Sequence, residues 1–207
     1  KVQSALLEVM QERQVTIDGE TIRLAPPFMT LATQNPVEHE GTYPLPEAQL
    51  DRFIMKVLIG YPNRESECEI VTRASSEKPG GFSDAVPVIC GPAEIVAAQQ
   101  ATAAVHVVPE VVAYAVAIAH ATRESKAISL GAGTRGAISL VRIGKAYAVL
   151  EGRGYVTPDD IKHAALPVLR HRVQLTPEVA ISGQEVDEVL RAIVETAVEG
   201  IITIDER

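Results

Sequence analysis

Three polar side chains carry the chemistry that this sequence suggests: one amide and two guanidinium groups. Asn35 follows the apolar run of residues 28–34, and Arg52 comes seventeen positions later in the segment LDRF. Arg135 lies in a Gly-rich segment that leads into a predicted helix. Ligands of open α/β sheets bind beyond the carboxyl ends of the strands, and a guanidinium fork stabilises the charge that builds up in phosphoryl transfer. The pattern therefore predicts an anion or phosphate site.

Each of these residues also has a structural explanation. Asn35 could simply end a strand before a proline. Arg52 could form a surface ion pair with Glu47 or Asp51, which would contribute little to stability. Arg135 could be a solvated side chain, although a cation in the first turn of a helix opposes the helix dipole unless an anion lies nearby.

The segment Gly131–Gly136 matches the pattern GxGxxG, so dinucleotide binding is a competing hypothesis. That hypothesis requires a strand at residues 126–130 and a second parallel strand after the following helix, whereas the pattern predicts helices on both sides. A tight turn before a helix explains the glycines better. No GxxxxGK[ST] motif occurs in the sequence, so this chain has no phosphate-cradling loop of its own.

The elements that must position these residues divide the chain near Pro62. Residues 14–24 predict a β-hairpin around Asp18-Gly19, with Val15 opposite Ile22. Residues 28–34 and 53–59 predict buried strands, after an amphipathic helix in which the chain begins without a capping residue. Two strands do not form a stable sheet alone, so we expect an upstream segment. The predicted helices are 63–75, 92–104, 109–123, 135–151, 158–170 and 184–198, with a short strand or disorder in the tail.

Composition excludes several classes of function. The net charge of −8 argues against broad nucleic-acid binding, and the basic triplet Arg170–Arg172 is predicted to suit the end of a helix. No apolar run reaches the ~18 residues of a membrane span, and no histidine spacing indicates a metal site. Cys68 and Cys90 form no CxxC motif, which favours two buried, reduced thiols in the cytoplasm.

The order of four segments resembles the MoxR family of AAA+ ATPases, in the clade that includes magnesium-chelatase ATPase subunits. These segments are KVQSALLEVMQERQVTIDGE, LATQNPVEHEGTYPLPEAQLDRF, YPNRESE and LEGRGYVTPDDI. The resemblance implies that Asn35 is the first sensor, which polarises the attacking water, and that Arg52 is an arginine finger acting on ATP of the adjacent subunit. Arg135 would be the second sensor.

The same resemblance implies the fold: an α/β part of an AAA+ core in residues 1–62, then an all-α lid in residues 63–207. The hairpin would be an insertion that faces the pore or a partner. Family members use ATP and Mg²⁺, assemble as hexameric rings in the cytoplasm, and remodel client complexes, often with von Willebrand factor A domain proteins.

Two departures limit what the resemblance implies. The family's phosphate loop and its acidic magnesium-binding strand are absent from this sequence, so we expect the chain alone neither to bind nucleotide tightly nor to hydrolyse it. The second-sensor segment reads Gly133-Thr134-Arg135-Gly136 where family members often have Ser-Pro-Arg. The alternative function is a non-catalytic helical interaction module with a vestigial nucleotide site.

Overall fold

The computed structural model describes residues 9–10, 12–17, 19–34, 45–75 and 87–205. Short strands and a short helix come first, and longer helices follow. The elements are β1 Gln14–Ile17, β2 Glu20–Arg23, α1 Glu47–Leu50, α2 Arg64–Ser75, α3 Pro92–Ala104, α4 Pro109–Glu124, β3 Ile128–Leu130, α5 Thr134–Leu150, α6 Pro158–Leu169, β4 Gln174–Leu175, α7 Pro177–Ile181 and α8 Val186–Asp205. None of the described helices is long and apolar enough to cross a membrane.

The predicted hairpin is confirmed. Strands β1 and β2 pair antiparallel, with Val15 opposite Ile22 as expected from the alternating pattern. Gly19 has a φ of 84°, which is the left-handed conformation that a tight turn of this type requires. Ile17 and Ile22 are both more than half exposed, so within the described part of the chain the apolar face of the hairpin is largely uncovered.

The two predicted core strands do not form. Residues 28–34 and 53–59 pair with no strand among the described residues, and Met29 and Leu31 are 74% and 82% exposed. An apolar run becomes a strand only when a neighbouring strand satisfies its backbone groups, and neither segment has such a neighbour here. The prediction of two buried core strands is therefore wrong for these described residues.

The helix predictions are confirmed, with the first five beginning and ending within one residue of their predicted bounds. The sixth, α8, continues through the tail to Asp205, where we predicted a short strand or disorder. Cys68 and Cys90 are free thiols as predicted, but both are exposed rather than buried. Helix α2, which carries Cys68, has no buried residue to pack against the rest of the chain.

The core lies where α4, α5, α6 and α8 pack together. Its largest fully buried side chains come from these helices: Tyr114, Ile118, Leu140, Ile161, Leu169 and Leu190. In α4 the buried positions recur every three or four residues, which gives one apolar face. Helices α5 and α6 approach so closely at Gly144 that a Cβ there would lie 3.0 Å from Ile161 Cδ1.

Helix α6 begins with the capping box that its sequence predicts. The Thr157 hydroxyl accepts a hydrogen bond from the Asp160 amide at 3.4 Å, and the Asp160 carboxylate accepts one from the Thr157 amide at 2.7 Å. Arg153 adds a bidentate pair with Asp160 at 2.6 and 2.9 Å. Burial alone would raise the pKa of Asp160, but the bonds from Arg153 and Thr157 outweigh it and hold that pKa below its usual value. The start of α6 is therefore fixed firmly against the preceding loop.

Candidate functional site

Two of the three predicted site residues meet in one cleft. Arg52 and Arg135 are far apart in the sequence, yet both line a cavity of about 290 Å³ between α5 and the segment that follows α1. The other lining residues come from these elements and from the end of α6, with one from the N-terminal region: Met10, Asp51, Ile54, Ile138, Ser139, Arg142 and Arg172. Asn35 lies outside the described residues, so its position stays a prediction.

Arg172 makes the most hydrogen bonds at this cleft. Its side chain is only 2% exposed and donates to acceptors on three elements. These bonds go to Asp51 Oδ1 at 3.0 Å, Asp51 O at 3.0 Å, Phe53 O at 2.6 Å, Ile54 O at 3.1 Å and Ser139 Oγ at 3.4 Å, with a further bond to Val168 O. Burial lowers the pKa of the guanidinium, and the neighbouring Asp51 carboxylate opposes that effect.

The carboxylate of Asp51 is shared between two arginines. Besides the bond from Arg172, its Oδ2 atom accepts one from Arg135 Nη1 at 3.4 Å. Arg135 occupies the first turn of α5, which contains no acidic residue, so Asp51 supplies the anion that the helix dipole would otherwise lack. The Arg135 side chain is half exposed. It is therefore not merely solvated, but it keeps one face open to the cleft.

Within the described part of the chain, Arg52 does not form the surface ion pair that a structural explanation requires. The Asp51 carboxylate bonds to Arg172 and Arg135, and the Glu47 carboxylate accepts a bond from Gln174. Among the described residues, no carboxylate lies within ion-pair distance of Arg52, and its Nε atom is buried without a hydrogen-bond partner. A partly buried guanidinium without a counterion can bind an incoming anion with little prior rearrangement.

The basic triplet Arg170–Arg172 follows α6, whose last turn contains no basic residue, and it binds the chain after α1. His171 Nε2 lies 3.0 Å from Phe53 O, and Arg170 Nη1 donates to Lys56 O at 3.2 Å. Arg170 also forms a bidentate pair with Asp187 at 2.8 and 3.1 Å, which joins the end of α6 to the start of α8. Burial, with the nearby Arg172 charge, lowers the pKa of His171 to about 4.

The Gly-rich segment Gly131–Gly136, which leads into the first turn of α5, allows close packing and does not form a dinucleotide loop. A Cβ on Gly131 would lie 2.6 Å from Arg123, and one on Gly136 would lie 3.1 Å from Ala132 Cβ. A strand does precede the segment, as the dinucleotide hypothesis required. However, β3 pairs antiparallel with β4, so the parallel βαβ unit that binds dinucleotides is not formed.

Sequence reasoning missed Arg142 and Arg172 as cleft residues. The triplet Arg170–Arg172, directly after a predicted helix, could have indicated a contact with another segment. Consecutive side chains with several hydrogen-bond donors can bind several backbone carbonyls. Nothing in the local pattern indicated that those carbonyls belong to the segment around Phe53.

Comparison with known proteins gives concordant matches. Residues 1–55 match the family profile described as the ATPase family associated with various cellular activities, and residues 120–193 match the AAA lid domain. The chain is 42% identical over 193 residues to the uncharacterized protein YeaC of Bacillus subtilis, covering 93% of this chain and 59% of YeaC. It is 38% identical over 205 residues to the chaperone MoxR1 of Mycobacterium tuberculosis, covering 95% and 53%.

A solved structure shows the same fold. A crystal structure from Cytophaga hutchinsonii, of a protein classed provisionally as an ATPase, superposes with a TM-score of 0.83 at 41% identity and covers 94% of this chain and 61% of that one. These matches confirm the predicted fold class, part of an AAA+ core followed by a helical lid. The chain spans little more than half the length of the curated relatives described above.

Proposed function

Because this chain belongs to the MoxR family of AAA+ ATPases, we propose that the intact protein hydrolyses ATP to remodel or mature partner protein complexes. The observation that carries the proposal is the guanidinium of Arg52, which lines the cleft without a carboxylate partner among the described residues. The name of the mycobacterial relative, a chaperone, supports the remodelling role.

The roles follow from the charges. Arg52 would act as the arginine finger and stabilise the charge that develops on the γ-phosphate of ATP held by an adjacent subunit. Arg135 would act as the second sensor, exchanging its contact with Asp51 for a phosphate oxygen. Asn35 would polarise the attacking water, because an amide offers both a donor and an acceptor.

The cleft suits the phosphates of ATP better than a metal ion. Four arginines of the described residues line it, against the single carboxylate of Asp51. Since Asp51 already bonds to two of those arginines, we assign Mg²⁺ to no described residue of the cleft. The ion would enter with ATP. The residues that hold it, like the phosphate loop, would belong to parts of the protein outside this sequence.

An arginine that acts on a neighbour's nucleotide requires an assembly. We therefore propose a cytoplasmic, hexameric ring in which residues 1–62 complete the core and residues 63–207 form the lid. A von Willebrand factor A domain protein and a client complex would be its partners, as the family resemblance implies. The 207-residue chain alone would neither bind ATP tightly nor hydrolyse it.

Substitution of Arg52 tests the proposal directly. In the intact protein, Arg52→Ala should lower kcat for ATP hydrolysis roughly a thousandfold or more while ATP binding survives, because the finger stabilises only the transition state. Arg191→Ala is the matched control, since it removes an exposed arginine of α8 that does not line the cleft. Wild-type turnover in the Arg52 variant would exclude the finger role. Absence of hydrolysis by the intact wild-type protein would favour the interaction module instead.

A further inference from the structure

The chain from Asp51 to Ile54, here called the finger segment, contains Arg52 and is attached to the lid by side chains. Its backbone amides at Arg52 and Phe53 donate locally to α1, at 3.2 and 3.1 Å. Its carbonyls instead accept from the lid residues Arg172 and His171. The local turn therefore shapes the segment, and the lid determines where that segment lies.

Arg172 dominates this attachment. It bonds to the carbonyl oxygens of Asp51, Phe53 and Ile54 and to the Asp51 carboxylate, and these acceptors flank Arg52 on both sides. A planar guanidinium holds its donors in a fixed fork, so several simultaneous bonds leave the segment little freedom to turn. Because Arg172 is almost fully buried, water does not compete for these bonds.

We propose that Arg172 is a positioning residue for the arginine finger, so that the lid and Arg52 move as one unit. This inference rests on the proposed function, in which Arg52 acts on a neighbouring nucleotide. Arg172 makes its contacts with the finger segment rather than with the nucleotide. Its contribution is the orientation of Arg52, and through the shared Asp51 it also links the finger to Arg135 on α5.

The test is steady-state ATP hydrolysis by the intact protein. Arg172→Met should lower kcat roughly 10- to 100-fold with KM for ATP within about twofold, because a misplaced finger affects the transition state and not the binding of nucleotide. Arg172→Lys should recover part of the lost kcat, since an ammonium keeps the charge but cannot reach all the carbonyls. A purely structural role would lower the melting temperature and leave kcat per folded subunit unchanged.

Arg170→Met is the matched control. It removes the bidentate pair with Asp187 and the bond to Lys56 O, both outside the finger segment. Its melting temperature should therefore fall while its kcat stays within about twofold of wild type. A kcat loss equal to that of Arg172→Met would mean that general docking of the lid matters and that Arg172 has no special role.

A second variant covers the case in which Arg172→Met does not fold. Asp51→Asn removes one ionic contact of Arg172 and keeps the carbonyl bonds, so kcat should fall by a smaller factor, roughly 3- to 10-fold. It also removes the contact of Asp51 with Arg135, and because Arg135 would contact bound phosphate, that loss should change KM for ATP rather than kcat. If Arg52→Ala is inactive but the Arg172 and Asp51 variants hydrolyse ATP normally, the positioning role is wrong and the proposed function stands. If Arg52→Ala is itself fully active, the proposed function fails first.

Discussion

Acid should weaken this fold through His171, which lies half-buried between the lid and the finger segment. Its Nε2 must be the protonated nitrogen, because it lies 3.0 Å from Phe53 O and a carbonyl only accepts. Its Nδ1 is buried without a partner among the described residues. Burial, then the charges of Arg172 and Lys56, lower the pKa of the ring to about 4, although the Phe53 bond and Asp51 oppose the shift.

The sign of the effect follows from the two pKa values. The unfolded chain binds a proton at His171 below pH 6.5, whereas the folded protein resists it until about pH 4. Stability from this group is therefore complete above pH 6.5 and is lost as the pH falls from 6.5 to 4. The full difference corresponds to about 3 kcal/mol, and solvent screening of a half-buried ring reduces it to about 2 kcal/mol.

Urea unfolding of the 207-residue chain between pH 4.5 and 7.5 measures this loss. His171→Gln keeps a donor for Phe53 O and has no charge to gain, so its free energy of unfolding should depend less on pH. The difference between wild type and this variant should grow by roughly 1 to 2 kcal/mol in favour of the variant on acidification. His120→Gln, an exposed histidine of α4, is the control and should change nothing in this difference.

The reasoning would be refuted by parallel curves. If wild type and His171→Gln lose stability equally between pH 7.5 and 4.5, the His171 ring is protonated freely in the folded protein. The contact with Phe53 O would then not exclude solvent, and the packing of the finger segment on the lid would be looser than the distances indicate.

Two further substitutions test the packing that supports the site. Gly144→Val should destabilise the fold by about 1–3 kcal/mol in urea, because even its Cβ would lie 3.0 Å from Ile161 Cδ1, while Gly144→Ala should cost less since alanine favours the helix. Asp160→Asn should lower the free energy of unfolding by about 3 kcal/mol, because Asp160 is 3% exposed and is paired with Arg153. The control Asp159→Asn, at an exposed position, should change it by less than about 1 kcal/mol. Equal losses for the two aspartate variants would contradict the buried pair.

The lid helices could be predicted because their signals are local. Thr157-Pro158-Asp159-Asp160 contains a capping threonine, a proline at the first position and an acid at the third, and the helix begins where that pattern places it. The hairpin was predictable for the same reason, since the turn and the alternating residues lie within one short segment.

The fate of the two apolar runs after the hairpin could not be predicted, because strand pairing depends on residues that are distant in the sequence. The apolar runs at 28–34 and 53–59 predict strands, but an apolar run forms a sheet only beside a neighbouring strand, and the local sequence does not show whether one is present. The site shows the same limit. Arg52 and Arg135 could be chosen as site residues from their neighbouring sequence. Arg172 could not, because its hydrogen-bond acceptors lie about 120 positions earlier in the chain.

Asp51 makes one strong and one weak contact, the strong one with Arg172 and the weak one with Arg135. Arg172 holds Asp51 at 3.0 Å and adds three carbonyl bonds in a buried setting, whereas half-exposed Arg135 reaches the same carboxylate with one contact of 3.4 Å. A phosphate that enters the cleft competes with Asp51 for both arginines, and the longer, solvated bond is the weaker of the two. In the proposed function, Arg135 would therefore be released first, while the contacts of Arg172 would keep the finger segment on the lid. If both proposals hold, the Asp51 carboxylate would free Arg135 for phosphate and keep Arg172 in its positioning role.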